Sequence, residues 1–210
     1  MQLNLPKIYP ITDARLTGLS HVEQVTRLIA GGATLIQLRD KDAAPRDFYE
    51  SAIEALKIAR RHGVRLIIND RVDIALALKA DGVHLGQTDM PVEAARKLLG
   101  ETAVIGFSTH NLAQAKGAIS LPVDYVAFGP IFATSTKQES DPVVGLSALI
   151  RVRAIAGSLP LVAIGGIDAV TAGETLQAGA DSVAIISALL AEPSKIEQNT
   201  RRMFLAVENL

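Results

Sequence analysis

Short apolar runs of strand length alternate along this chain with segments whose apolar positions recur at helical spacing. The first run covers residues 8–13, with Pro10 early in it, where an initial strand tolerates proline. Val22, Val25, Leu28 and Ile29 then mark one helical face, closed by Gly31 and Gly32. A second run at 34–39 precedes a helix over 45–62, striped by Tyr49, Ala52, Ile53, Leu56 and Ala59 and ended by Gly63. Runs at 65–70 and 82–86 are followed by helices over 72–80 and from Pro91, a favoured opening residue. Runs at 103–107 and 124–128 precede a helix over 111–119 and one striped by Leu146, Leu149, Ile150 and Ile155. The last runs, 161–165 and 182–186, are followed by helices over 170–178 and 193–207.

Strands apolar on both faces that alternate with helices form parallel sheets covered by helices. Eight strand–helix units, in steps of roughly 25 residues, predict an α/β fold, a (β/α)8 TIM barrel near the lower length limit of that fold. A doubly wound open sheet is the alternative. No linker or low-complexity stretch interrupts the pattern, so residues 1–210 read as a single domain. Residues 31–33, 79–82 and 177–181 read as helix ends feeding the next strand, with a structural role.

Composition narrows the function. The net charge is −1 and no basic block occurs, which argues against nucleic-acid partners. The chain has no cysteine, hence no disulfide, no thiolate nucleophile and no cysteine metal site. The first seven residues do not read as a signal peptide, and no apolar run reaches membrane-spanning length. A cytoplasmic protein without membrane partners, monomeric or a small homo-oligomer, is expected.

Polar residues collect where the runs end. In order they are Asp13; Gln37, Arg39 and Lys41; Asn69 and Asp70; Gln87 and Asp89; Ser108, Thr109 and His110; Thr134, Ser135, Thr136 and Lys137; Gly165 and Gly166; and Ser187 after Ile186. In a barrel these positions share one rim, the rim that carries active sites. Asp70 and Asp89 read either as a helix cap and a turn residue or as two carboxylates for Mg²⁺, which takes few protein ligands and leaves room for phosphate. Arg39, Lys41 and Lys137 bring positive charge to the same rim, enough for a diphosphate leaving group, though Lys41 also reads as a solvated loop lysine. The Thr/Ser run before Lys137 reads as an anion-binding loop or as a solvated turn. Gly166 and the 186–187 step suit a second phosphate held by backbone N–H groups. Two anionic groups suggest a two-substrate transfer. His84 reads as a core or lining residue, His110 as a weak base candidate, and His21 and His62 as surface residues. Asp13 reads as a rim acid or a cap.

These residues, in this order, closely resemble the thiamine-phosphate synthase family. The resemblance runs through 9–13, 37–41, 69–73, 82–89, 105–110, 124–137, 162–167 and 179–189. It implies a Mg²⁺-dependent transferase that joins an aminomethylpyrimidine, activated as its diphosphate, to a thiazole phosphate or its 2-carboxylate. Diphosphate departs first, and the thiazole nitrogen attacks the resulting cation. The resemblance places Gln37, Arg39, Lys41, Asn69, Ser108 and Lys137 on the pyrimidine diphosphate, with Lys137, Ser108 and Arg39 closest to the chemistry. It places Asp70 and Asp89 on the metal, and Thr134, Ser135, Thr136, Gly166, Ile186 and Ser187 on the thiazole phosphate. The alternatives are a thiazole tautomerase on the same barrel and a non-enzymatic ligand-binding barrel.

Overall fold

A computed structural model describes residues 4–134, 141–208 and 210. Eight strands form one parallel sheet: β1 (Ile8–Pro10), β2 (Leu35–Leu38), β3 (Arg65–Asn69), β4 (Gly82–Leu85), β5 (Val104–Thr109), β6 (Tyr125–Phe128), β7 (Leu161–Ile164) and β8 (Ser182–Ile185). The order β1-β8-β7-β6-β5-β4-β3-β2 leaves β1 and β2 as the last neighbours. A parallel bridge between Ile11 and Gln37 joins them and closes the barrel. The (β/α)8 expectation holds, and the open sheet does not.

Among the described residues, ten α-helices surround or cap the sheet: α1 (Ala14–Thr17), α2 (His21–Ala30), α3 (Pro45–Arg61), α4 (Val72–Leu78), α5 (Val92–Leu99), α6 (Leu112–Ala118), α7 (Gly145–Ala156), α8 (Ala172–Gln177), α9 (Ser187–Leu190) and α10 (Ile196–Ala206). A 3-10 turn, Pro193–Lys195, leads into α10. The four-residue helices α1 and α9 are additions to the sequence reading. They are too short to show a period.

Alternation along each strand divides the core in two. On β3, Leu66 and Ile68 pack outward against the helices, and Ile67 fills the lumen with Tyr9, Leu35, Tyr125 and Val162. Toward the C-terminal ends the inward positions turn polar, at Gln37, Asn69, His84 and Ser108. At the opposite end three aspartates tie strands together. Asp81, Asp124 and Asp181 accept from the backbone N–H of Leu66, Ile105 and Leu161 at 2.8, 2.7 and 2.7 Å. Arg96 and Arg153 donate to Asp124 and Asp181. Two of the segments read as helix ends, 79–82 and 177–181, thus also carry strand clamps.

Three expectations need correction. His21 is not a surface residue but is 2% exposed, because it lies one turn before Val25 on the buried face of α2. On α7 the inward stripe is Leu149, Val152 and Ala156, which leaves Ile150 and Ile155 largely exposed. Pro91 precedes α5 as its cap and is not its first residue.

Candidate active site

The C-terminal rim opens into a cavity of about 450 Å³. Every described residue that the resemblance assigns to substrate or metal lines it, while Asp13 and Thr109 of the rim list do not. From β2 and its loop come Gln37, Arg39 and Lys41, and from the end of β3 come Asn69 and Asp70. The β4 loop supplies Asp89, β5 supplies Ser108, and Thr134 follows β6. Gly166 and the pair Ile186 and Ser187 close the far side, after β7 and β8. Ser135, Thr136 and Lys137 lie outside the described residues.

Asp70 holds a left-handed backbone conformation, φ 61°, which non-glycine residues rarely adopt. It does not cap α4, whose cap position is Arg71. Its carboxylate faces the cavity instead, with Lys41 Nζ at 2.5 Å. Asp89 has the turn role weighed for it, and its carboxyl group also stands beside Asp70. Its Oδ2 accepts from Gly86 N–H at 2.6 Å, as a turn residue would. Burial, with Asp70 beside it, pushes the Asp89 carboxyl above the ordinary aspartate range. Two hard oxygen donors held together against their mutual repulsion fit a divalent cation. No third histidine or acidic residue completes a metal cluster among the described residues. The donor set therefore fits Mg²⁺, which completes its shell with water and phosphate oxygens.

Arg39 is aimed from behind. Asp13 Oδ2 receives its Nη1 at 2.8 Å, while Asp13 Oδ1 caps α1 through the Leu16 N–H. Asp13 is 7% exposed and lies outside the cavity lining, so it is both a cap and a support for Arg39. Behind it, Thr12 Oγ1 accepts from the Arg39 N–H and contacts His21 Nδ1, whose other nitrogen faces Asp40.

On the far side, Gly166 has φ 66°, and a Cβ there would stand 2.5 Å from the Ala133 carbonyl oxygen. Only glycine lets the β7 loop pass this close to the segment after β6. His110 Nδ1 contacts the Gly129 carbonyl at 2.9 Å and lies 3.4 Å from Asp141. Its Nδ1 is thus tied to the loop after β6, while the residue also lines the cavity.

The cavity floor holds residues that reading by polarity passed over. Tyr9 and Tyr125 point into the lumen beneath Gln37 and Ser108. Both sit in apolar runs, and only their inward parity signalled them. Burial pushes the Tyr9 hydroxyl up to about 12 and Tyr125 well above its ordinary value. His84 lines the cavity as expected, and burial lowers it to about 4, so its imidazole is neutral.

Known proteins share both the sequence and the fold. The thiamine monophosphate synthase family profile matches residues 8–189. A thiamine-phosphate synthase of Chloroflexus aurantiacus is 47% identical over 186 residues, spanning 88% of this chain and 85% of that protein. One from Clostridium novyi is 47% identical over 185 residues, spanning 88% and 90%. The solved thiamine phosphate pyrophosphorylase of Pyrococcus furiosus superposes with a TM-score of 0.87 at 37% identity, covering 96% of this chain and 95% of that one.

Proposed function

The chain belongs to the thiamine monophosphate synthase family, and from that membership we propose that its rim condenses a pyrimidine methyl diphosphate with a thiazole phosphate, aided by Mg²⁺. Synthesis of thiamine phosphate by a transferase is common ground with its relatives. The thiazole isomerase alternative finds no support among them. The observation that carries the finer reading is the carboxylate pair of Asp70 and Asp89, set against Lys41 at one side of a cavity whose other side is glycine backbone and Ser187.

Asp70 and Asp89 would hold the metal, which would supply positive charge to the diphosphate as it leaves. Arg39 and Lys41 add fixed cations to the same group, and Lys137 is assigned there by the family pattern. Gln37, Asn69 and Ser108 orient the pyrimidine. The bond between the pyrimidine methylene carbon and the diphosphate oxygen breaks, and its electron pair leaves with diphosphate. The ring amino group stabilises the cation left behind. The thiazole nitrogen lone pair then forms the new carbon–nitrogen bond. Gly166, Ile186 and Ser187, with Thr134, Ser135 and Thr136, hold the thiazole phosphate within reach. No side-chain nucleophile is required. The protein's contribution is placement and charge complementarity.

Purified protein mixed with both substrates tests this. Diphosphate and thiamine phosphate should appear together in equal amounts, and both should stop when magnesium is chelated. Binding of the thiazole phosphate without diphosphate release would overturn the reading in favour of a binding barrel. Isomerisation of the thiazole alone would overturn it in favour of a tautomerase.

A further inference from the structure

Five side chains cross the lumen without a break. Gln37 Nε2 donates to the Tyr9 hydroxyl at 3.1 Å. The Tyr9 and Tyr125 hydroxyls are 3.1 Å apart. Tyr125 OH lies 2.9 Å from His84 Nδ1, and His84 Nε2 lies 2.8 Å from Ser108 Oγ. The three interior members, Tyr9, Tyr125 and His84, are all buried.

Strand register builds this chain. His84, Gly106 and Tyr125 are direct neighbours on β4, β5 and β6. A Cβ on Gly106 would stand 2.0 Å from Tyr125 Cζ and 2.4 Å from its hydroxyl oxygen. Glycine at 106 therefore lets the Tyr125 ring lie across β5. The ring stacks on His84 with centroids 5.5 Å apart and planes 24° from parallel.

The hydrogens can be assigned by valence. A carboxamide nitrogen only donates, so the Tyr9 oxygen accepts from Gln37. Tyr9 has one hydrogen of its own, and the hydroxyl it faces is that of Tyr125. Tyr125 then gives its hydrogen to His84 Nδ1, which must be bare. The neutral ring carries its hydrogen on Nε2 and donates to Ser108 Oγ. Ser108 keeps its own hydrogen for the cavity. Run the other way with the Gln37 nitrogen still on Tyr9, Tyr9 would receive two hydrogens, and its own would have no acceptor within the relay, a costly outcome in a buried place.

We propose that Tyr9, Tyr125 and His84 are positioning residues that couple the two pyrimidine-facing ends, so that with the Gln37 amide nitrogen on Tyr9 the Ser108 hydroxyl is presented as a donor to substrate. This rests on the assignment of Gln37 and Ser108 to the pyrimidine under the proposed function. With both ends set in advance, the substrate does not have to reorganise them on binding, and the reacting geometry is already in place.

The experiment has two arms. Nitrogen-15 NMR of the whole protein at neutral pH, with the His84 signal identified by its loss in His84→Asn, should show the Nε2–H tautomer. Tyr125→Phe, which keeps the ring and removes the hydroxyl, should erode that preference. It should lower kcat about tenfold, the worth of one buried hydrogen bond, and leave the KM for thiazole phosphate unchanged. Tyr9→Phe should lose a similar factor, and the double variant no more than either single one, because both break the same chain. An Nδ1–H tautomer in the unaltered protein would overturn the proposal. So would Tyr125→Phe with tautomer and kcat both unchanged, or a double variant whose losses multiply. Failure of the unaltered protein to form thiamine phosphate would overturn the activity, and the tautomer would still decide the relay.

Discussion

Asp70 faces Lys41 across 2.5 Å while its own backbone sits at φ 61°. The strain and the ion pair together aim a carboxylate at the cavity and at Asp89. Asparagine tolerates the left-handed conformation as well as aspartate does. Asp70→Asn should therefore leave thermal stability nearly unchanged but lower turnover by about 100-fold or more, because the metal's charge stabilisation is worth several kcal/mol. Asp89→Ala should do the same to turnover. Calorimetry with thiazole phosphate should give nearly native affinity for both, since that phosphate is assigned across the cavity. A parallel loss of affinity would contradict the division into two anion sites.

The barrel was legible because its strands are apolar on both faces, and the rim was legible because chemistry collects where those runs stop. Gln37, Asn69, Asp70 and Ser108 all follow that rule. Residues that combine polarity with burial away from the strand ends were less legible. His21 sits four before Val25 and seven before Leu28, on the same helical face, yet its polarity put it outside. Tyr125 lies within an apolar run, and its role depends on Gly106 beside it in register, a relation across strands that a linear pattern does not contain. Ile150 and Ile155 show the converse error, where apolar character alone was taken for burial.

Asp13 has two separable tasks. Asn keeps the cap on α1 but removes the charge that holds Arg39. Asp13→Asn should raise the KM for the pyrimidine diphosphate by about tenfold, the effect of one lost charge-assisted hydrogen bond. Asp13→Ala should add a stability loss of about 1 kcal/mol from the cap. Steady-state kinetics and urea unfolding on the two variants separate these terms. Identical kinetics for Asp13→Asn and the unaltered protein would mean that Arg39 needs no support.

Two buried imidazoles set an acid limit on stability. Burial lowers His21 below its ordinary value despite Asp40, and it lowers His84 to about 4. The unfolded chain binds those protons more readily than the folded one. The associated stability is thus fully present above pH 6.5 and is lost as pH falls through the window below it. For His84 alone the loss by pH 4 is on the order of 3 kcal/mol. Urea titrations from pH 7.5 downward should show the midpoint falling below roughly pH 6.5, with a shallower fall in His84→Asn than in the unaltered protein. An equal slope in both would show that His84 takes up its proton as readily in the folded state as in the unfolded one.

The opposite rim supplies the last test, because it should separate stability from catalysis. Asp124 Oδ2 takes hydrogen bonds from the Ile105 N–H at 2.7 Å and from Arg96 Nη2 at 2.6 Å. The Arg96 guanidinium also donates to the carbonyls of Gly100, Ala103 and Pro122, so it stays anchored when Asp124 is removed. What Asp124→Ala leaves unpaired is the β5 N–H and one face of a guanidinium that is 11% exposed. The expected cost is about 2 kcal/mol. Conserved geometry at the catalytic rim should keep both KM values native, because in a barrel the strand starts carry stability and the strand ends carry chemistry. Urea unfolding and steady-state kinetics on the same preparation check both halves. A rise in KM for either substrate at temperatures where the variant is fully folded would show that the clamp between β5 and β6 reaches the site, with Ser108 at the far end of β5 as the residue it moves.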